Sequence, residues 1–272
     1  MSGGVRSYDI AKHLVDKGHS VQMITTDRTP FNRGGWKVSD EDGICVHWLS
    51  LAYSNQLSYI KRLVAFFSFA ISSSKKGGGL QGDVVFATST PLTIAIPALY
   101  ISWKLSIPIV FEVRDLWPDV PIAVGVIKNP IIKYLAKLLE RHIYSKSKAV
   151  IALSDGMKSG VVKAGCKKDK VVVIPNFSNL ELFNIKNTGK EFRANRRWLG
   201  SSPLLVYTGA FGMINGVDYL VDISEQLMLL KSDIKILLIG DGKKYNDVKR
   251  YAIQKHVLNN NLFINSSVSK SE

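Results

Sequence analysis

The string Phe111-Glu112-Val113-Arg114-Asp115-Leu116-Trp117-Pro118-Asp119 sets a cation beside a carboxylate where an apolar run ends. Arg114 can hold a phosphate or carboxylate through two parallel N–H bonds, and Asp115 can orient or deprotonate a hydroxyl. The bland alternative is an Arg–Asp pair and a packed Trp that shape a loop. Glycines mark three more places. Gly3 and Gly4, with Val5 and Arg6, open a helix-period segment, so the backbone there can approach a phosphate or sugar and helix N–H groups face it. A plain loop-to-helix turn would look the same. Gly209, Gly212, Asn215 and Gly216 separate a strand from a helix, and Gly240-Asp241-Gly242 follows the next strand at the same edge. Two phosphate-approachable turns at successive strand ends are expected to face one cleft. Asn176 ends the string Ile174-Pro175-Asn176, where it either bonds a ligand or caps the following turn.

Apolar, β-rich runs position these residues at 20–26, 44–50, 83–88, 107–113, 149–154 and 171–175. Most are continuous rather than alternating, as a sheet buried on both faces requires. Helix-period segments lie between them at 5–17, 57–74, 92–104, 131–144 and 156–164. Strand and helix alternate, so the fold class is α/β with a mainly parallel sheet. The polar stretch beginning near 177 breaks the rhythm. The division is therefore a first Rossmann-like domain over 1–180, a linker over 181–202 and part of a second Rossmann-like domain over 203–272. The second has strands at 204–208, 234–240 and 262–264 and helices at 217–230 and 245–256. No strand precedes Gly3, and three strands with two helices bury little surface, so truncation at both ends, with exposed sheet edges, is expected.

Of the 272 residues, 46% are hydrophobic and 21% charged, which argues against disorder over most of the length. Cys45 and Cys166 show no metal-ligand or redox spacing and read as reduced thiols of a cytoplasmic protein. Lys and Arg number 36 against 22 Asp and Glu, a formal +14, which favours a polyanionic partner: nucleic acid or an anionic membrane. The start does not resemble a signal peptide, and the apolar stretches 63–71 and 92–103 are shorter than the roughly 20 residues that span a bilayer. Two basic stretches could lie on a membrane instead. The first, 57–76, sets Lys61, Arg62, Lys75 and Lys76 around Phe66, Phe67 and other apolar residues, and these six are the expected membrane contacts. The second, 128–148, carries Lys133, Lys137 and Arg141, and its apolar stripe is expected to face the core.

Together these features resemble the family 4 glycosyltransferases of the GT-B fold, in the branch that assembles bacterial O-antigen and capsule sugars. The resemblance is carried by Gly3-Gly4-Val5-Arg6, Lys17-Gly18-His19-Ser20-Val21, Val113 through Asp119, Ala152-Leu153-Ser154-Asp155-Gly156-Met157, Val173 through Asn176 with Phe183, Tyr207-Thr208-Gly209, and Ile239-Gly240-Asp241-Gly242. It implies retaining transfer of a sugar from a nucleotide-diphosphate donor, UDP-linked, to a polyprenyl-diphosphate-linked acceptor. Transfer would occur in the cleft between two Rossmann-like domains, without a metal or other cofactor. Gly3, Gly4, Arg6, Asn176, Gly209, Gly212, Asn215, Gly216, Gly240 and Asp241 would serve the donor, and Asp115 with Arg114 the chemistry. The protein would work in the cytoplasm, peripheral to the inner face of the plasma membrane.

Two departures stand out. Where many members carry an Arg and a Lys in the first second-domain turn, this chain has Ala210 and Asn215, so neutralisation of the diphosphate must come from backbone N–H groups or from elsewhere. The family's Glu-x7-Glu pair is absent. Other classes remain open on these residues alone: a basic, non-catalytic nucleic-acid-binding protein, which lacks a recognisable binding module, or a GT-B nucleotide-sugar 2-epimerase, which needs a donor but no acceptor.

Overall fold

The computed structural model describes residues 5–27, 35–53, 57–178, 180, 189–213 and 215–268, without the side chains of Val5 and Tyr59. Gly3 and Gly4 lie outside these residues. The chain divides into two compact units, with the boundary in the sequence after Phe177.

In the first unit, helix α1 (Val5–Asp16) precedes β1 (Val21–Asp27), β2 (Trp36–Glu41) and β3 (Ile44–Ser50). Helix α2 (Tyr59–Gly77) leads to β4 (Val85–Thr88), and α3 (Ala95–Leu105) to β5 (Ile109–Val113). Short α4 (Asp119–Ala123) and long α5 (Pro130–Lys146) precede β6 (Ala149–Ala152), and α6 (Asp155–Lys163) precedes β7 (Val171–Val173). The strands form two sheets. One has the order β1-β3-β2, the other β4-β5-β6-β7, all parallel. This corrects the expectation of one sheet. Among the described residues no strand-to-strand hydrogen bond joins the two, and β1 and β4 are edge strands.

Strand β2, absent from the sequence reading, pairs antiparallel with β3 across Asp42 and Gly43, both at positive φ (55° and 84°). That two-residue turn has the backbone twist of adjacent antiparallel strands. The apolar face of α1 packs on the first sheet through Ala11, Tyr8 and Val15 against Ile44, Val46 and Met23. The second sheet holds the main core, where Phe111 of β5 meets Tyr144 of α5 edge-on at 6.1 Å.

Local chemistry fixes the helix starts. Asn129 accepts from the amides of Ile131 and Ile132 at 2.8 and 3.3 Å, with Pro130 at the first helical position of α5. Ser154 accepts from Met157 N at 3.2 Å to cap α6.

Helix α5 differs from expectation. Its inner side sets Ile143, Tyr144 and Glu140 in the interior, but Ile131, Tyr134, Leu135 and Leu138 face solvent. The helix has two apolar stripes, and only one is core. On α2, Phe67 is exposed as expected and Lys61 and Lys75 reach solvent. Phe66, in contrast, turns inward onto Tyr53 at 5.6 Å, Lys76 sits 5.7 Å over the Trp36 ring, and Arg62 is half-buried.

The second unit contains α7 (Lys190–Ala194), β8 (Leu204–Thr208), α8 (Tyr219–Leu229), β9 (Lys235–Ile239), α9 (Tyr245–Gln254) and β10 (Leu262–Asn265). Its sheet is parallel in the order β10-β9-β8, with Ile236, Leu237 and Leu238 of the central strand buried. The later part of the segment read as a linker packs onto this unit: Leu199 is buried and Trp198 stacks on Phe263 at 3.7 Å.

Candidate functional site

Parallel strands end together, so the loops after β4, β5, β6 and β7 collect at one edge of the second sheet. Thr88 pairs in register with Glu112, which brings their side chains together: Thr88 Oγ1 donates to Glu112 Oε2 at 2.8 Å. Just beyond, Thr90 Oγ1 donates to Asp115 Oδ2 at 2.9 Å, and Ser89 Oγ accepts from Arg114 N at 3.1 Å. Asp115 is exposed, with one carboxylate oxygen held by Thr90 and the other without a donor among the described residues. The Arg114 guanidinium is half-buried and has no partner among the described residues. An oriented carboxylate beside an unpaired cation can steer a hydroxyl and an anionic group to neighbouring positions. Asn176, after β7, is exposed at the same edge.

Arg6 is placed otherwise than expected. It is 7% exposed, and its guanidinium bonds the fully buried Glu112 through Nε at 2.9 Å and Nη2 at 2.8 Å. It also donates to the carbonyls of Pro175 at 2.8 Å and Ile174 at 3.0 Å, and lies 5.2 Å from the Phe177 ring. A guanidinium so occupied anchors the first turn of α1 to the strand ends behind Asp115 and is not free to grip a phosphate.

In the second unit the two glycine turns pack on one another. Gly209 N donates to Ile239 O at 3.0 Å, Phe211 N to Asp241 O at 3.0 Å, and Lys244 N to Phe211 O at 2.9 Å. A Cβ at Gly240 would land on the Gly209 carbonyl oxygen, and one at Gly242 would come within 2.5 Å of Phe211 O. These glycines are required by loop-on-loop contact, whatever they do for a ligand. The amides of Gly209, Phe211 and Gly240 are already bonded to carbonyls, so they cannot neutralise a diphosphate. Gly212 and Asn215 sit in contact within their turn, and Gly216 has φ 57°. Asp241 is exposed and accepts from the amide of Ser267 at 3.0 Å and its hydroxyl at 2.5 Å. The Ser267 hydroxyl and amide hold its carboxyl below the usual range.

Sequence reasoning missed the hydroxyl partners of the Arg114–Asp115 corner. Ser89 and Thr90 orient the Arg114–Asp115 corner, and the hydroxyl-rich strand end Thr88-Ser89-Thr90 was the available signal. Lys243, exposed and without a partner among the described residues, and Lys244, 3.7 Å from Asp247, are the cations next to the second glycine turn. A cavity of about 240 Å³ lies beside them, lined by Asp218, Lys244, Asp247, Val248 and Tyr251. Among the described residues no cluster of His, Cys, Asp and Glu could hold a metal ion.

Residues 3–176 match the model of the glycosyl transferase 4-like domain. The chain is 24% identical over 206 residues to the probable glycosyltransferase WbjE of Pseudomonas aeruginosa, covering 74% of this chain and 50% of that protein. The fold is similar to sucrose-phosphate synthase of Thermosynechococcus elongatus, with TM-score 0.70, 15% identity and coverage of 99% of this chain and 66% of that one. It is also similar to HepE of Anabaena, solved with UDP and glucose, with TM-score 0.60 and 12% identity over 92% of this chain and 70% of that one. A trehalose-6-phosphate synthase studied for glycosyl transfer with retention gives TM-score 0.69 at 10% identity, over 99% of this chain and 72% of that one. The chain thus spans half the length of its curated relative, and its architecture is α/β of the GT-B type.

Proposed function

The chain belongs to the glycosyltransferase 4-like family, and from that premise we propose that it serves retaining transfer of a sugar from a UDP-linked donor to a polyprenyl-diphosphate-linked acceptor in surface-polysaccharide synthesis. The observation that carries the reading is the corner after β5: an exposed Asp115 carboxylate oriented by Thr90, next to an Arg114 guanidinium without a partner among the described residues. Arg114 suits an acceptor phosphate and Asp115 an acceptor hydroxyl. In the second unit, Lys243 and Lys244 would take the neutralising role that Ala210 and Asn215 cannot. WbjE supports glycosyl transfer, HepE the choice of UDP, and the trehalose-6-phosphate synthase the retention of configuration. The acceptor would be met at the inner membrane face, where Lys61 and Lys75 offer positive charge.

The test is transfer of labelled sugar from UDP-linked donors to short polyprenyl-diphosphate-linked acceptors, for the protein and for Asp115→Asn. The expected result is label in the lipid phase, with loss of about 10²–10⁴-fold in the variant. A rate unchanged in Asp115→Asn removes that residue from the chemistry. Absence of transfer to every lipid acceptor refutes the acceptor class.

A further inference from the structure

Helix α3 packs between α2 and α5; α3 and α5 lie on β4 and β5 of the second sheet, while α2 contacts β1 of the first. Gly77 permits the close approach, since its missing Cβ would overlap Ile101 of α3. All three helices turn apolar side chains away from the core. On α2 these are Ile60, Val64, Phe67 and Ile71, spaced to form one outward stripe; Ile60 is 72% exposed. On α3 they are Tyr100 and Trp103, the latter 77% exposed. On α5 they are Ile131, Tyr134, Leu135 and Leu138, with Tyr134 68% exposed. Isolated exposed hydrophobics are ordinary, but adjoining stripes on neighbouring helices mark a contact surface.

The exposed charge on the three helices themselves has one sign. Lys61 and Lys75 flank the α2 stripe, Lys104 follows Trp103, and Lys137, Arg141 and Lys146 border the α5 stripe. The only carboxylate in the three helices, Glu140, is buried on the inner side of α5. Asp119 of α4, exposed nearby, stands 3.5 Å from Lys137. Helix α1 is the contrast: it mixes Asp9 and Asp16 with Lys12 and shows one large exposed hydrophobic, Leu14. None of the described helices is long and apolar enough to cross a membrane.

We propose that the outward face of the α2–α3–α5 layer seats the protein on an anionic bilayer, with Trp103, Tyr134 and the aliphatic stripes in the headgroup boundary and the Lys and Arg side chains on lipid phosphates. The charge complementarity selects this occupant: a tryptophan and a tyrosine among aliphatic residues inside a border of Lys and Arg is the composition of an interfacial surface. The proposal deepens the membrane part of the reading above and replaces a single-helix contact with a three-helix face. It also places Glu140 and Tyr144 beneath the seat rather than in it.

The test is co-flotation with vesicles of phosphatidylcholine alone or with a third phosphatidylglycerol, without donor or acceptor. The protein is compared with Leu135→Glu/Leu138→Glu and Trp103→Glu, all at exposed positions, and with Leu14→Glu on α1. Expected are binding to the anionic vesicles, weakening with salt, and a drop of about tenfold or more in the α5 and α3 variants but not in Leu14→Glu. Circular dichroism verifies that each variant is folded. Binding indifferent to the α5 and α3 substitutions overturns the proposal. So does self-association that the same substitutions abolish while vesicles go unbound, because a second copy would then cover the face. Flotation as expected without any sugar transfer refutes the acceptor class and leaves the seat intact.

Discussion

Replacing Arg6 by Met should destabilise the first unit severely, because its guanidinium is buried against Glu112. Glu112 has no exposed surface and keeps only the Thr88 hydroxyl once the guanidinium is gone. Removing one partner of a buried ion pair costs about 3–5 kcal/mol, because the remaining charge stays in the interior uncompensated. The carbonyls of Ile174 and Pro175 add less, since both residues are exposed and water can replace the lost donor. Met keeps much of the aliphatic length, so the loss is electrostatic rather than a cavity. The matching change Glu112→Gln leaves Arg6 with its two carbonyl acceptors and should cost about 1–3 kcal/mol. In the double variant neither charge is left to be buried without its partner, so the summed cost of the single changes should exceed the measured one by about 2 kcal/mol. Urea unfolding monitored by far-UV circular dichroism gives the four free energies of the cycle. Strict additivity, or an Arg6→Met cost below about 1 kcal/mol, would refute the argument and return Arg6 to the donor site.

Two further outcomes follow from the same geometry. Burial pushes the Glu140 carboxyl up to about 7 from 4.5, so the folded state holds that proton more tightly than the unfolded chain. This stabilisation is complete below the unfolded value and is lost as pH rises through about 7; at 1.36 kcal/mol per unit it amounts to about 3 kcal/mol. Urea midpoints at pH 5 and pH 8.5 should therefore diverge for the protein and converge for Glu140→Gln, and equal slopes in both would show that Glu140 is ionised at no cost. Gly240→Ala should destabilise the second unit by about 2–3 kcal/mol, because its Cβ meets the Gly209 carbonyl, while the unfolding of the first unit is unmoved. Limited proteolysis that cuts both units equally would contradict this.

Much of the fold was legible because buried parallel strands must be continuous apolar runs, and β5 (Ile-Val-Phe-Glu-Val) and β9 (Lys-Ile-Leu-Leu-Ile) are such runs. Strand β2 escaped because Trp-Lys-Val-Ser-Asp-Glu is half-exposed and polar, and the Asp42-Gly43 turn was its one clear sign. The Arg114–Asp115 corner could be located from its place at a strand end. The role of Arg6 could not, since its partner lies 106 residues away and only the folded sheet brings them together. Helix α5 misled for a different reason. Helical periodicity reveals apolar stripes but not which one faces inward, and α5 has two.

The division of the first unit's strands into two ladders reaches beyond topology. Among the described residues, β3 and β5 share no chain of backbone bonds; α1, through its Arg6 anchor, is one of the straps between their sheets. Protection of amide hydrogens then has no reason to be uniform across the unit. The β1-β3-β2 ladder, with fewer strands and a smaller buried cluster, can open as a subglobal foldon while β4 to β7 stay closed. The corner that carries Asp115 belongs to the β4–β7 block, and any opening that releases α1 must first break the Arg6–Glu112 pair behind it.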